Sequence, residues 1–98
     1  MTAYLISFKT TTTGDATWLD RYSEAAGPVL AKHGGRMLAF GHPENVERGK
    51  DWERAVVIEF PSIEAAHSFH EDPSYKDARE LRIANTKGEM YFLSIDQT

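Results

Sequence analysis

The 98-residue chain predicts an α+β domain: helices on one face of a four-stranded antiparallel sheet, in the order βαββαβ. Three observations carry that prediction. The hydrophobic period alternates between two and about 3.6 along the chain. The changes fall at Gly, Pro, Asp or Ser, the residues that cap helices and turn chains. Three of the four strand segments are apolar on both faces.

The first strand spans Ala3 to Lys9, with Tyr4, Ile6 and Phe8 on one face and Ala3, Leu5, Ser7 and Lys9 on the other. Thr10 to Gly14 is a polar turn, and Asp15 opens a helix that runs to about His33. Trp18, Tyr22, Ala25 and Val29 form its apolar stripe. Pro28 removes a backbone donor inside that helix, which predicts a kink or two short helices. Gly34-Gly35 ends it. Arg36 to His42 is the second strand, suited to a sheet edge by Arg36 and Gly41. Pro43 to Asp51 is a long polar loop. Trp52 to Phe60 is the strongest strand, with Val56, Ile58 and Phe60 opposite Ala55, Val57 and Glu59. Ser62 caps a second helix with the stripe Ile63, Ala66 and Phe69. Asp72-Pro73 caps a further helical segment carrying Tyr75, Ala78, Arg79 and Arg82. Asn85 to Gly88 breaks it, and Glu89 to Asp96 is the last strand.

This order is the split βαβ arrangement of the ferredoxin-like fold, in which the first and third strands are central. The whole chain, residues 1–98, is one domain. Helices can cover only one face of its sheet. Leaving the other wet would forgo several kcal/mol, at about 25 cal/mol per Å² of apolar area. The simplest cover is the same face of a second copy, so the sequence predicts a homodimer with its sheets face to face.

Composition excludes several classes. Hydrophobic residues make up 41% and charged residues 27%, a globular balance rather than a disordered one. The formal charge of −4 argues against a general nucleic-acid binder. There is no cysteine, hence no thiol nucleophile and no disulfide. No apolar run approaches the roughly 20 residues that span a bilayer, and Met1 to Lys9 is too short for a signal-peptide core. No membrane partner is expected, and the cytoplasm is the expected compartment.

Glu59 is the candidate catalytic residue: on a central strand facing a dimer interior, its partly desolvated carboxylate would suit proton transfer. Its other reading is an ion pair with Arg36 or Arg54. Arg36, Arg54 and His42 are candidate substrate-binding residues, the arginines as clamps for a carboxylate or phosphate. His42 also reads as a solvated loop residue, and His33 as a helix C-terminal cap. His67 and His70, three apart, fix no third ligand, so no metal site is expected. Trp18, Tyr22, Phe40, Trp52 and Tyr75 read as an aromatic pocket or as core. There is no Gly-x-Ser-x-Gly, and Thr10 to Thr13 before Gly14 lacks the spacing of a phosphate loop, so no cofactor is expected.

Lys32-His33-Gly34-Gly35-Arg36, Arg54 to Ala66 with its Glu59-Phe60-Pro61-Ser62 run, and Asp72-Pro73-Ser74-Tyr75 followed by Ala78 and Arg82 carry a family resemblance. With Tyr22 and Pro28 they span nearly the whole chain. The sequence resembles the small bacterial proteins grouped as domain of unknown function 1330, within the dimeric α/β-barrel superfamily. The resemblance implies a ferredoxin-like dimeric barrel and no established reaction. Relatives in that family often have an arginine and two glycines where this chain has Phe40-Gly41-His42, so a ligand held by that arginine would not be shared. The wider superfamily includes cofactor-independent oxygenases, lactone isomerases and haem-degrading enzymes. Three functions follow as expectations: an enzyme using Glu59 as acid/base and Arg36 as anion clamp in a dry dimer interior; a binding module holding a small metabolite between sheet and helices; and a structural dimer.

Overall fold

The computed structural model describes residues 1–95. Strand β1 (Ala3–Thr11) pairs antiparallel with both β3 (Arg54–Phe60) and β4 (Thr86–Ser94). β2 (Arg36–Gly41) joins β3 at the edge, giving the order β2-β3-β1-β4. Helix α1 (Trp18–Lys32) follows β1. Helix α2 (Ile63–Glu71), a 3-10 turn at Pro73–Tyr75 and helix α3 (Lys76–Asn85) separate β3 from β4. This is the ferredoxin-like α+β sandwich, with the first and third strands central.

Register sorts every strand residue onto a face. Ala3, Leu5, Ser7 and Lys9 of β1 are buried beneath the helices, with Val56, Ile58 and Phe60 of β3 beside them. Tyr4, Ile6 and Phe8 lie on the opposite, open face. There Ile6 pairs with Val57 and Tyr91, and Tyr4 with Glu59 and Leu93. No helix among the described residues covers this face, and Tyr91 and Leu93 are both about half exposed (51% and 52%). The core lies under the helices, where Leu5, Phe60, Phe69 and Tyr75 are 2% exposed or less. β2 is exposed throughout and carries an irregularity between Met37 and Ala39, as befits an edge.

Several boundaries differ from the sequence expectation. α1 begins at Trp18 rather than Asp15, because the Asp15 carboxylate accepts the backbone N–H and hydroxyl of Thr17 (2.9 and 2.6 Å) and forms a turn ahead of the helix. The buried stripe uses Ala26 instead of the exposed Ala25, since Leu19 and Leu30 add apolar surface on that flank and rotate it toward the sheet. α1 runs unbroken through Gly27-Pro28, both of which face water. Its end is as expected. Gly34 is left-handed at φ 76°, and the Gly35 N–H donates to the Leu30 carbonyl at 2.9 Å. The third helical segment stops at Asn85 as expected, but no loop follows: α3 passes directly into β4, which starts at Thr86 rather than Glu89. The Asn85 side chain donates to the Leu81 carbonyl and the Thr86 hydroxyl to the Arg82 carbonyl, which closes the helix without a loop. Gly88 lies inside β4, where a Cβ would run into the Phe8 carbonyl oxygen. β1 continues to Thr11, β3 starts at Arg54 and β4 stops at Ser94; the expected end at Asp96 lies outside the described residues.

The expected caps are present. Ser62 Oγ accepts the Ala65 N–H at 3.0 Å. Asp72 accepts the Ser74 N–H at 2.8 Å, while its other oxygen lies 2.7 Å from His33 Nε2 and 3.1 Å from Lys32 Nζ. One carboxylate thereby ties the end of α1 to the start of the third helical segment. His33, then the Ser74 N–H and Lys32, hold the Asp72 carboxyl well below the usual range. A depressed carboxyl contributes stability that is fully present above its unfolded value, about 4, and is lost as pH falls toward its folded value. Asp72→Asn therefore flattens the acid limb of a stability–pH profile below about pH 4, read by thermal melts; an unchanged acid limb would remove this role.

Candidate functional site

Helix α2 lies close on β1, β3 and β4, whereas α1 makes its nearest backbone approach to α3. A cavity of about 270 Å³ remains between α1 and the sheet. Leu5, Val56, Ile58 and Met90 form its floor, and Ala26 and Leu30 its roof. Met37 and Phe40 of the edge strand, each 52% exposed, border it on the β2 side.

The polar lining residues are Ser7, Lys9, Tyr22 and Ser23. Lys9 continues the inward row of Ala3, Leu5 and Ser7, so the alternation of β1 takes its side chain under the helices. It is 7% exposed, and no carboxylate pairs with it among the described residues. Its ammonium group stands 5.6 Å from the centre of the Tyr22 ring. Burial, then the Arg82 and Arg54 charges, push the Lys9 amine down to about 8. The Tyr22 hydroxyl lies 2.7 Å from that of Tyr75, and burial, then Tyr75, push its titration well above the ordinary phenol range. Behind them on α3, the Nε atoms of Arg79 and Arg82 are buried without a hydrogen-bond partner. His70 is pushed down by burial and then by those two arginines. Lys9 at this end of the cavity, and Arg79 and Arg82 on α3, have no salt-bridge partner among the described residues.

The sequence candidates fall in two places. Glu59 and Arg36 meet across β3 and β2 on the open face, Arg36 Nη2 donating to Glu59 Oε1 at 2.9 Å. Arg54 projects from the opposite face, its guanidinium 5.2 Å from the Phe40 ring at the cavity edge. His42, exposed beyond the end of β2, has Nδ1 3.1 Å from the Glu53 carbonyl oxygen. His67 and His70 set their rings edge-on to Phe92 (centroids 4.9 and 6.1 Å), and no cluster of three metal-ligating side chains occurs among the described residues. The aromatic set divides too. Trp18 and Tyr75 are core, Tyr22 and Phe40 line the cavity, and Trp52 lines a separate, more open hollow of about 620 Å³ on the open face with Phe8 and Tyr91. Lys9 was not singled out by sequence. Its signal was its phase with Leu5 and Ser7, which places it on whichever face the helices cover.

No helix among the described residues is long and apolar enough to cross a membrane. No curated protein matches this chain in sequence. In structure it is similar to a protein of unknown function, RPA0582, from Rhodopseudomonas palustris (TM-score 0.76, 21% identity, covering 99% of this chain and 84% of that one). It is also similar to SnoaB, a cofactor-independent oxygenase from Streptomyces nogalater (0.70, 14%, 99% and 95%). A third likeness is to a dimeric ferredoxin-like protein of unknown function from Bacteroides fragilis (0.67, 15%, 96% and 96%). At these identities the likeness establishes the fold. The family expected from the Glu59-Phe60-Pro61-Ser62 run is matched over residues 2–95, and the chain belongs to that family, the domain of unknown function DUF1330.

Proposed function

We propose that this protein is a homodimer closed through its open sheet faces, and that each copy binds a small, largely apolar molecule in the cavity between α1 and the sheet. The observation that carries the binding site is the cavity itself: an apolar floor and roof with a few polar groups converging at one end, the usual anatomy of a small-molecule site. The dimer is supported by the row of Tyr4, Ile6, Val57, Tyr91 and Leu93, an uncovered apolar surface. The Bacteroides fragilis protein with this fold is described as dimeric. Arg54, beside Phe40, is positioned to meet a polar group of the ligand, and His42 lies farther out at the end of the edge strand.

The test is a two-dimensional NMR titration with 1-naphthol as a neutral probe. Amide shifts centred on Leu5, Ser7, Ala26 and Met90 are the expected result. Shifts centred on Tyr4, Val57 and Tyr91, or none at all, would move the site or remove it.

A second reading has its own supporting observation. Glu59 and Arg36 sit on the face that a partner copy would enclose, where a carboxylate and a guanidinium suit proton transfer on a small acid. SnoaB, a cofactor-independent oxygenase, has the same fold. Once a reaction is found, Glu59→Gln should lower its rate by a factor of about 10²–10⁴; unchanged turnover would end the acid/base assignment.

A further inference from the structure

We infer that the cavity selects an organic anion: a small acid whose charged head pairs with Lys9 and whose apolar body lies over Leu5, Val56 and Ile58. This rests on the cavity being a binding site and adds the chemical class of what it binds. A lysine 93% removed from water is costly unless something compensates its charge. Here the Tyr22 ring face is the favourable neighbour, no anion in the described structure pairs with the amine, and the surroundings add charge of the same sign. Arg54 faces Lys9 from β3 in direct register, and Arg82 bears on it from α3. Tyr22 from α1 offers a ring face and a neutral hydroxyl. On the β4 side its register partner is Gly88, which has no side chain. The four salt bridges of the described structure leave Lys9, Arg54, Arg79 and Arg82 without carboxylate partners.

A ligand with one anionic group supplies the missing counter-charge where the amine lines the cavity. Ser7, two residues along the same face, also lines the cavity and is a further polar residue there. At about 270 Å³ the space lies just below the common range for drug-sized ligands, which limits the acid to a small one. The other chemistry open to a buried amine is covalent addition to a carbonyl compound. Absence of counter-charge on every packed side favours the ion pair, because it asks for an anion whatever the ligand's reactivity.

The experiment compares 1-naphthoate with 1-naphthalenemethanol, nearly the same shape without the charge, by calorimetric titration. At about pH 7 the wild-type protein should bind the acid about tenfold to a hundredfold more tightly. The preference should fall to about unity in Lys9→Met and in Lys9→Gln, and should shrink in the wild type at about pH 9.5, where the amine is neutral. Equal binding of acid and alcohol by the wild type overturns the anion assignment and leaves the cavity as a neutral site. A preference that survives both Lys9 substitutions also overturns it. Binding of neither probe removes the cavity reading and this inference together.

Discussion

Replacing Ile6 by aspartate should convert the protein to a monomer under conditions where the wild type is dimeric, weakening self-association by about 10³-fold or more. Ile6 lies on the central strand β1, directly between Val57 of β3 and Tyr91 of β4. If two copies meet through this face about a two-fold axis, one substitution places two carboxylates in the same apolar layer. Desolvating each costs several kcal/mol, and no cation stands beside Ile6 in either neighbouring strand to offset it. The folded chain itself should survive, because position 6 belongs to the partly buried outer row of β1 and not to the core beneath the helices. Light scattering after size exclusion reads the result. Ile83→Asp, at a 58%-exposed site on α3, adds the same charge away from the sheet and should leave the dimer intact. A dimer that persists in Ile6→Asp would place the interface elsewhere.

Lys9→Met should make the unliganded protein more stable near neutral pH, by an amount on the order of 3 kcal/mol. Folding lowers the Lys9 amine from 10.5 to about 8, so below about pH 8 the folded state carries a buried ammonium at a cost. Between those two values the unfolded chain holds a proton that the folded one has released, and wild-type stability rises with pH. Methionine has no proton to lose and a similar length. The stability gap between variant and wild type should be widest below about pH 8 and close as pH approaches about 10.5. Urea melts of both proteins across that range check it. A variant less stable than the wild type at neutral pH, or a gap that ignores pH, would show that Lys9 is not a desolvated cation. A residue that lowers the stability of the empty fold is commonly one kept for binding, so this stability experiment bears on the ligand argument without needing a ligand.

Much of the architecture was legible because local signals agreed with one another. The element order made β1 and β3 central and their apolar content agreed, Ser62 and Asp72 read as caps and are caps, and Gly34 is left-handed where the first helix had to stop. The Arg36–Glu59 ion pair was readable as an alternative for Glu59, since both face outward on adjacent strands. What failed was local chemistry overridden by tertiary contact. Gly88 read as part of a loop between helix and strand, yet it lies inside β4, where it lets the strand pass close to the Phe8 carbonyl. Pro28 read as a kink or as the join of two short helices, yet α1 is one helix through it, with Pro28 on the wet side where water can reach the carbonyl it leaves unpaired.

The candidate site was less legible, for two reasons. Arg54 and Glu59 are five residues apart on one strand, so pleating alone sends them to opposite faces, and they cannot serve one site within a single chain. The cavity arises because α1 leans on α3 instead of lying flat on the sheet, a long-range packing choice that no window of sequence encodes. Lys9 acquires its character only from that geometry. Near a strand end it looks like an ordinary solvated lysine until a helix is laid over it.

The sheet is apolar on both sides and shielded by the chain's own helices on one, which calls for a second copy on the other. Sedimentation equilibrium of the wild-type protein between about 1 and 100 µM tests this most directly. Twice the 11.1 kDa chain mass across that range is the predicted result. A single-chain mass at every concentration would contradict it.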